Sequence, residues 1–391
     1  MVYYIRYLKT PRIQKQNGSV SISALICITT DLGDSFLAED VDLMVTAREE
    51  TSRIVYEKPT KWNAYNRELP ITLGPLPVNL AQKTLVLTVQ TPPPKPLRST
   101  ERRPLRSTER RPLPPFEPLA QPYQLVMGAI SAPFSLQSTH AEALVKRHMS
   151  GLVCGPPLQI WEETGNSIAR HIWDAGLATV AYLSSTLDEL DHARKVEKGD
   201  AEPKIIEHTR NEHKIVGSKI PALKKILSIT RNSPIQVVEL GAGCGIVGIG
   251  LVQMLANCSV LLTDLPEVED IITRNINASH PATMSSVKYR NLDWGNPPDD
   301  LCSCPIELIL VSDCTYNEDS LPVLVSALDR LVRTSPDAVI LVALKRRHDS
   351  ETKFFDLMAS AGFMSEMESM ELPSQHGEVD KIEFHCYSRQ L

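Results

Sequence analysis

Residues 235–248 read IQVVELGAGCGIVG, and this stretch decides the fold. Its first six residues are a short apolar, β-branched run, which is typical of a strand buried on both faces. Gly241 to Gly245 follow without a break, and Ile246 to Leu255 has the character of a helix. Glycines let the backbone approach a ligand closely, and the first turn of a helix presents free N–H groups. The order strand, glycine loop, helix therefore predicts a nucleotide-type site.

The loop also indicates which cofactor binds there. Counted from Gly241, the dinucleotide pattern GxGxxG needs glycine at 246, where the chain has Ile246. Glu239 stands two residues before the first glycine. Its carboxylate would repel a pyrophosphate but suits a cofactor that carries a positive amino group. We therefore predict S-adenosylmethionine rather than NAD, the alternative being a glycine-rich turn in another α/β enzyme.

A second strand ends in an acidic residue. Ser259 to Thr263 is apolar and leads into Asp264, which lies 23 residues beyond Gly241. At this distance the acid at the tip of strand two reaches ribose hydroxyls. The alternative is that Asp264 caps a helix that starts near Glu267.

Further apolar runs predict the rest of a doubly wound α/β sheet of the Rossmann-like, seven-strand kind. Additional strands are predicted at 287–291, 306–311, 338–344 and, as a late edge strand, 382–387; helices are predicted at 167–182, 219–229 and 354–362. Ligands of such sheets sit at the carboxyl ends of the strands. The loops after Leu240, Thr263, Asn291 and Val311 should therefore converge on one site.

Five segments together resemble a known enzyme family. They are VVELGAGCGIVGI (237–249), LLTDLP (261–266), LDWG (292–295), VSDCTYN (311–317) and IWDAG (172–176). Their order is similar to that in the lysine methyltransferase-like family, methyltransferase family 16. The resemblance covers roughly residues 155–390 but not the first hundred. It implies S-adenosylmethionine as cofactor and a protein lysine as acceptor, on a translation factor, ribosomal protein or chaperone.

The resemblance also implies roles for individual residues. The implied cofactor-binding residues are Trp173, Glu239, Gly241, Ala242, Gly243, Asp264, Leu265, Trp294 and Ser312. Asp313 and Tyr316 match the family's DxxY motif and are the implied catalytic residues. Cys244 and Ser312 differ from the family's common pattern, but neither change removes a group that the chemistry needs.

Structural roles compete with several of these assignments. Asp313 would accept hydrogen bonds from an amine, or else cap a helix. Tyr316 would close the pocket, or else pack in the core. Trp294 would pack beside adenine or cover the core, and Trp173 would border the cofactor cleft or belong to a helix face.

The chain before this domain differs in composition. Residues 1–90 predict a small β-rich module, with strands at 20–29, 41–46 and 84–89. Residues 91–118 contain PLRSTERR twice, at 96–103 and 104–111, and predict an exposed Pro/Arg-rich linker. A basic docking site is the alternative. The methyltransferase domain is then predicted at 119–391, with a charged surface insertion from Asp188 to Lys219.

The composition of the chain limits the kinds of partner that we expect. A formal net charge of -6 gives no reason to expect a nucleic-acid partner. The eight cysteines form no CxxC array and the histidines no spaced ligand set, so no metal is implied. No apolar run approaches the length of a membrane helix, and no signal-peptide pattern opens the chain. We therefore expect no membrane partner and a cytoplasmic location, with the nucleus as the alternative.

Three functions remain open at this point. The first is methylation of a protein lysine, which the absence of a (D/N)PP(Y/F) loop after Val311 favours modestly. The second is N-methylation of a small molecule such as nicotinamide, which a sealed acceptor cavity would favour over an open groove. The third is a non-catalytic binding module that keeps the fold. Degraded glycines or a missing ribose acid would indicate it, yet Gly241, Gly243 and Asp264 are present.

Overall fold

Three sheets organise the chain in the computed structural model. They contain four, six and seven strands. The structure describes residues 2–16, 19–50, 53–77, 80, 83–92, 126–135, 137–138, 140–150, 152, 156–165, 167–199, 217–228, 233–298, 301, 304–347, 351–372 and 380–389. The predicted linker lies outside these ranges except for residues 91 and 92. Within them, none of the helices has the length and apolar character needed to cross a membrane.

Ten strands build an N-terminal unit, which we define as residues 2–163. The strands are β1 (Tyr3–Gln16), β2 (Ser19–Thr29), β3 (Val41–Glu49), β4 (Ile54–Trp62), β5 (Leu69–Leu76), β6 (Leu85–Gln90), β7 (Val126–Met127), β8 (Ala129–Ser131), β9 (Leu144–Met149) and β10 (Leu158–Glu163). One sheet has the order β5-β2-β1-β7 and the other β10-β9-β8-β6-β3-β4. A single hydrophobic cluster contains Ile5 and Ile26 from the first sheet and Val45 from the second. The two sheets therefore pack face to face.

The N-terminal unit is larger than the sequence indicated. The three predicted strands are present as β2, β3 and β6. However, β7 to β10 also pair into these sheets, so the change of sheet follows Glu163 and not residue 118. The predicted start of the methyltransferase domain at 119 has to move accordingly. Strands of two and three residues, such as β7 and β8, are too short to leave a readable alternation of apolar and polar residues.

The second part of the chain forms the predicted doubly wound α/β fold. Its strands are β11 (Ile235–Leu240), β12 (Cys258–Asp264), β13 (Ser286–Asn291), β14 (Leu308–Ser312), β15 (Val339–Lys345), β16 (Phe363–Leu372) and β17 (Asp380–Arg389). Its helices are α1 (Asp174–Glu197), α2 (Pro221–Ser228), α3 (Ile246–Met254), α4 (Glu269–Ala278), α5 (Leu321–Thr334) and α6 (Thr352–Ser360). The strand order is β13-β12-β11-β14-β15-β17-β16. The first five are mutually parallel, which brings their carboxyl ends to one edge.

Two predicted elements need correction. The strand expected at 382–387 is β17, which lies between β15 and β16 and is not an edge; β16 is the edge strand. Its sequence, FMSEMESMEL, is mostly exposed and alternates with glutamate, so it has too little apolar character to stand out. The helix predicted from Ser167 begins at Asp174 and continues to Glu197. The expected insertion at 188–219 therefore starts inside α1, and its residues 200–216 lie outside the described ranges.

The N-terminal unit packs on one face of the large sheet. Tyr4 of β1 and Ile160 of β10 share a hydrophobic cluster with Leu183 of α1 and Val237 of β11. Burial of such large apolar side chains is the main favourable contribution to association of the two parts. Helices α5 and α6 pack on the opposite face, in a cluster that includes Leu328 and Phe354.

Candidate active site

The loop after β11 is built for close approach of a ligand. Gly241 and Gly243 have φ values of 65° and 54°, in the left-handed region that favours glycine. A Cβ atom on Gly241 would lie 2.5 Å from the Cys314 Sγ, and one on Gly243 would lie 2.8 Å from the Ala169 carbonyl oxygen. Glycine is therefore required at both positions, by the backbone conformation and by close packing against Cys314 and Ala169.

Asp264 joins this loop to the end of β12. Its Oδ2 accepts a hydrogen bond of 2.7 Å from the Gly243 N–H, and its Oδ1 accepts one of 2.7 Å from the Leu265 N–H. The short helical turn at 266–268 and α4 have no side-chain cap, so the capping alternative for Asp264 is not realised. Burial raises the pKa of Asp264, and the two backbone donors oppose that shift.

Glu239 lies below the loop. The carboxyl is 2 % exposed, and its Oε2 accepts a hydrogen bond of 2.8 Å from the Gly248 N–H. Burial raises the pKa of Glu239 to about 8; the Gly248 N–H lowers it and the charge of Asp264 raises it. The carboxyl is thus largely protonated near neutral pH until a cation comes close enough to favour its ionised form.

The spacing argument against a dinucleotide does not hold. Counted from Gly243, glycines 243, 245 and 248 have the GxGxxG spacing. A Cβ atom on Gly248 would lie 2.4 Å from Leu262 Cδ2 and 2.8 Å from Val260 Cγ1, so this glycine allows α3 to pack closely on β12. The distinction between the two cofactors therefore rests on the buried carboxyl of Glu239.

One cavity of about 380 Å³ lies at the carboxyl ends of β11, β12 and β14. All eleven predicted site residues line it: Trp173, Glu239, Gly241, Ala242, Gly243, Asp264, Leu265, Trp294, Ser312, Asp313 and Tyr316. Ligand cavities of roughly 300–1,000 Å³ are usual. The structure thus brings the predicted residues together, while the role of each stays a prediction.

The ionisable side chains that line this cavity are mostly carboxyls. Five carboxyl groups line it, from Glu239, Asp264, Glu267, Asp293 and Asp313. Among the described residues, neither lysine nor arginine contributes to the lining. Such a wall favours a ligand that carries positive charge.

Asp313 is held more firmly than the sequence predicted. Its Oδ2 accepts from the Ala175 N–H at 3.3 Å, and its Oδ1 accepts from the Lys345 N–H at 3.3 Å and from Arg347 Nη1 at 2.9 Å. The capping alternative is therefore realised, but on α1 and not on the next helix. A carboxylate offers about four acceptor positions, so one remains, on Oδ2. Burial raises the pKa of Asp313, and Arg347 opposes that shift.

The remaining predicted residues of the cavity differ in how far they are exposed. Tyr316 is 55 % exposed, so it does not pack in the core. Trp173 directly precedes α1, and its indole N–H donates to the Ile168 carbonyl at 3.1 Å. Trp294 packs on a hydrophobic cluster and also lines the cavity, so its packing beside adenine stays a prediction. The Ser312 Oγ is buried, and no hydrogen-bond partner for it exists in the described part of the chain.

Two residues of this site were not predicted. Arg347 bonds Asp313 from one Nη and, through its Nη2, Asp31 Oδ2 at 2.6 Å. Its guanidinium lies 5.3 Å from the centre of the Trp173 ring. Arg347 belongs to a basic run after β15, which suggests a solvated surface, and Asp31 follows β2 in the N-terminal unit, far away in sequence. In the sequence, the available signal is the apolar run at 338–344 that leads directly into this basic segment.

In the ranges that the structure covers, His, Cys, Asp and Glu side chains nowhere assemble in groups of three or more that could hold a metal ion.

Comparison with known proteins identifies the family. The family model described as lysine methyltransferase matches residues 154–361, which is 208 of the 391 residues. The chain belongs to the lysine methyltransferase family. The match includes the glycine loop, Asp264, Trp294 and the segment that carries Asp313 and Tyr316.

Individual relatives match to different extents. The UPF0665 family protein C23C4.06c of Schizosaccharomyces pombe is 25% identical over 360 residues, or 90% of this chain and 91% of that protein. Protein N-lysine methyltransferase METTL21A of Danio rerio is 32% identical over 120 residues, 30% of this chain and 53% of that protein. Protein-lysine N-methyltransferase EFM6 of Saccharomyces cerevisiae is 31% identical over 147 residues, 34% of this chain and 59% of that protein. The chain thus spans about half the length of these two named methyltransferases.

Proposed function

We propose that this protein transfers a methyl group from S-adenosylmethionine to a lysine side chain of a protein substrate. The observation that carries the proposal is the cavity at the carboxyl ends of the strands, with five carboxyl groups and, among described residues, no lysine or arginine in its lining. Donor and acceptor in this reaction are both basic or cationic: a sulfonium with an amino group, and an amine. An acidic wall concentrates both.

The residues present fit this cofactor. Gly241 and Gly243 of the loop line the cavity, and a Cβ atom at either position would collide with Cys314 or Ala169. Asp264 holds the loop at the end of β12, where the ribose of a bound nucleoside is recognised in this class of fold. Glu239 supplies a buried carboxyl, and the Ser312 Oγ is a buried polar atom that has no partner among the described residues. We propose that these groups hold the amino-acid part of the cofactor.

The chemistry asks the protein mainly for alignment. When bound, the cofactor supplies a methyl group that passes to the neutral amine as the N–C bond forms and the C–S bond breaks, the sulfur keeping the electron pair. The lysine ammonium must first lose a proton, which goes to solvent. The free acceptor position of Asp313 Oδ2 can take a hydrogen bond from one of the two remaining N–H groups and fix the direction of the nitrogen lone pair. The new ammonium carries the charge that left the sulfonium, and Asp313 stabilises it.

The mouth of the cavity favours a protein acceptor over a small molecule. Three large apolar side chains at the mouth are well exposed: Tyr316 at 55 %, Ile168 at 54 % and Leu265 at 43 %. Exposed apolar groups around a polar pocket are typical of an interaction surface, whereas a small-molecule acceptor would be enclosed. The EEF1A lysine methyltransferase 3 of Xenopus tropicalis, 32% identical over 137 residues, carries a protein acceptor in its name. We extend that class of substrate, translation factors with ribosomal proteins and chaperones, to this chain.

The test combines calorimetry with labelling. S-Adenosylmethionine is titrated into wild type, Asp264→Ala and the matched control Asp270→Ala, an exposed acid of α4 outside the cavity that pairs with Arg170. We expect micromolar binding that the first variant weakens at least about 30-fold and the control leaves unchanged, because Asp264 bonds the glycine loop and Asp270 does not. Labelled cofactor added with enzyme to cell extract should then mark a discrete protein band at lysine.

Each other outcome contradicts part of the proposal. Label in the small-molecule fraction alone would replace the protein acceptor by a small one. Binding without any transfer would leave a non-catalytic module. Absence of binding in wild type would remove the cofactor and with it the whole proposal.

A further inference from the structure

The start of α1 is held by carboxylates from three different elements. The Ile172 N–H donates to Glu162 Oε2 at 2.7 Å, the Asp174 N–H to Asp31 Oδ2 at 3.2 Å and the Ala175 N–H to Asp313 Oδ2 at 3.3 Å. Free N–H groups at a helix start favour such negative partners. Asp31 and Glu162 belong to the N-terminal unit, so this unit fixes the segment that carries Trp173 into the cavity.

Asp31 has a second partner at the same site. Its Oδ2 also accepts from Arg347 Nη2 at 2.6 Å, and Arg347 Nη1 donates to Asp313 Oδ1 at 2.9 Å. Asp31 is 2 % exposed, so this pairing is shielded from water and little screened. The guanidinium thus bridges a carboxylate of the N-terminal unit and the predicted catalytic carboxylate, while it faces the Trp173 ring.

The N-terminal unit determines where Asp31 lies. Arg6 of β1 donates from its Nη2 to the Asp31 carbonyl at 2.6 Å. The loop closes on itself through the Thr30 N–H to the Ser35 carbonyl at 3.0 Å and the Gly33 N–H to the Thr30 carbonyl at 3.1 Å. The position of the Asp31 side chain is therefore fixed by a hydrogen-bonded turn.

We propose that Asp31 is a positioning residue for methyl transfer: it orients Arg347 and the start of α1, and through them Asp313. The N-terminal unit thereby completes the acceptor side of the cavity. This inference rests on the proposed function. Without the Asp31 charge, the guanidinium is free to turn both Nη atoms onto Asp313 and occupy the acceptor position left on its Oδ2. The contacts of Gly241, Gly243 and Asp264 do not involve Asp31, so the cofactor side should remain intact.

The test compares two cofactor analogues and needs no substrate. S-Adenosylhomocysteine lacks the methyl group, whereas sinefungin carries an amino group on a carbon that replaces the methylated sulfur. The amino group of sinefungin therefore probes the acceptor side. Both are titrated by calorimetry into full-length wild type, Asp31→Asn, Asp31→Glu and the control Asp40→Asn, which breaks an exposed ion pair with Lys61 in the same unit.

We expect wild type to bind sinefungin about 10-fold or more tightly than S-adenosylhomocysteine. Asp31→Asn should abolish this preference while its affinity for S-adenosylhomocysteine stays within about 3-fold of wild type. Asp31→Glu should retain part of the preference because the charge is kept, and Asp40→Asn all of it. Arg347→Gln should lose the preference too. The double variant of Asp31→Asn and Arg347→Gln should lose no more than either single variant, because both residues act on the Asp313 carboxylate.

Several results would overturn the proposal. One is an unchanged preference in Asp31→Asn, and another is a wild type that binds both analogues equally. A parallel loss of both affinities would reduce Asp31 to a structural role, as would failure of both Asp31→Asn and Asp31→Glu to fold. Failure of the proposed function looks different, because wild type would then bind neither analogue.

Discussion

The two halves of the cavity are assembled in different ways. The cofactor half is formed by Glu239, the glycine loop, Asp264 and Trp294, which all lie within 56 residues of one another in sequence. The acceptor half joins Asp31, Asp313 and Arg347, and the two partners of one ion pair are 316 positions apart in sequence. The first half is a property of one strand–loop–helix segment and its neighbours. The acceptor half forms only where the N-terminal unit meets the seven-strand sheet.

The cofactor half can be encoded by a local sequence motif, whereas the acceptor half requires tertiary packing of distant residues. Glycines at fixed spacing determine the conformation of the loop, so any chain that keeps this segment can form it. The orientation of Asp313 depends on Arg347, and that of Arg347 on Asp31. Damage to one half should therefore leave the other measurable, and the predictions below test this separation.

The largest expected effect breaks the cofactor half. Gly241→Ala places a Cβ atom 2.5 Å from Cys314 Sγ and 3.2 Å from Trp294 at a left-handed φ. Because the loop must shift, we expect the affinity for S-adenosylmethionine to fall about 100-fold or more, measured by calorimetry. Gly362→Ala is the matched control, since it has a φ of 82° but nothing within 4 Å of its Cβ. Affinity within 10-fold of wild type in Gly241→Ala would show that the loop is not the binding element.

The next effect breaks the acceptor half alone. Asp313→Asn removes the charge that aligns the amine and pairs with Arg347, so we expect the methyl-transfer rate to fall about 100-fold. The affinity for S-adenosylhomocysteine should stay within about 3-fold. The readout is the initial rate of label transfer to the substrate band, with Asp270→Asn as control because Asp270 is an exposed acid outside the cavity. Equal losses of rate and affinity would contradict the division into two halves.

The smallest effect sharpens the cofactor half through pH. Burial raises the pKa of Glu239 to about 8 in the folded chain, above its ordinary value near 4.3. The folded state therefore binds a proton more tightly than the unfolded state. The stability from this group is full below about pH 4 and is lost as pH rises through 8.

The wild-type Tm should consequently drop relative to that of Glu239→Gln by a few degrees between pH 5.5 and 8.5. Glu371→Gln, an exposed acid of β16, should follow wild type throughout. Parallel Tm profiles of wild type and Glu239→Gln would mean that this carboxyl is ionised in the folded chain at neutral pH.

The same division explains how much the sequence could predict. The buried run IQVVEL and the glycines after it place β11, the loop and α3, and from them the edge where Asp264, Trp294 and Asp313 meet. Asp31 and Arg347 could not be found in this way. An aspartate after a strand is an ordinary turn residue, and arginine after Lys345 and Arg346 is an ordinary surface charge. Only the approach of the N-terminal unit to β15 buries them together.

The errors in predicting the fold from the sequence have related causes. β16 was missed because its solvent-exposed face is rich in glutamate, and β7 and β8 because pairing with longer strands, not their own sequence, defines them. The start of α1 was placed too early because helical spacing continues upstream of Trp173. The helix itself starts where the carboxylates of Asp31 and Asp313 accept from its first N–H groups.

The pairing of Asp31 with Arg347 also orders events during biosynthesis. At roughly 5–20 residues per second, the 316 residues between them take roughly 15–60 s to translate. The loop that presents Asp31 is synthesised long before Arg347. The glycine loop is also complete about 100 residues before Arg347 is synthesised. A nascent chain therefore gains the means to hold the methyl donor before the means to direct an acceptor, and competence for transfer arrives with the last quarter of the sequence.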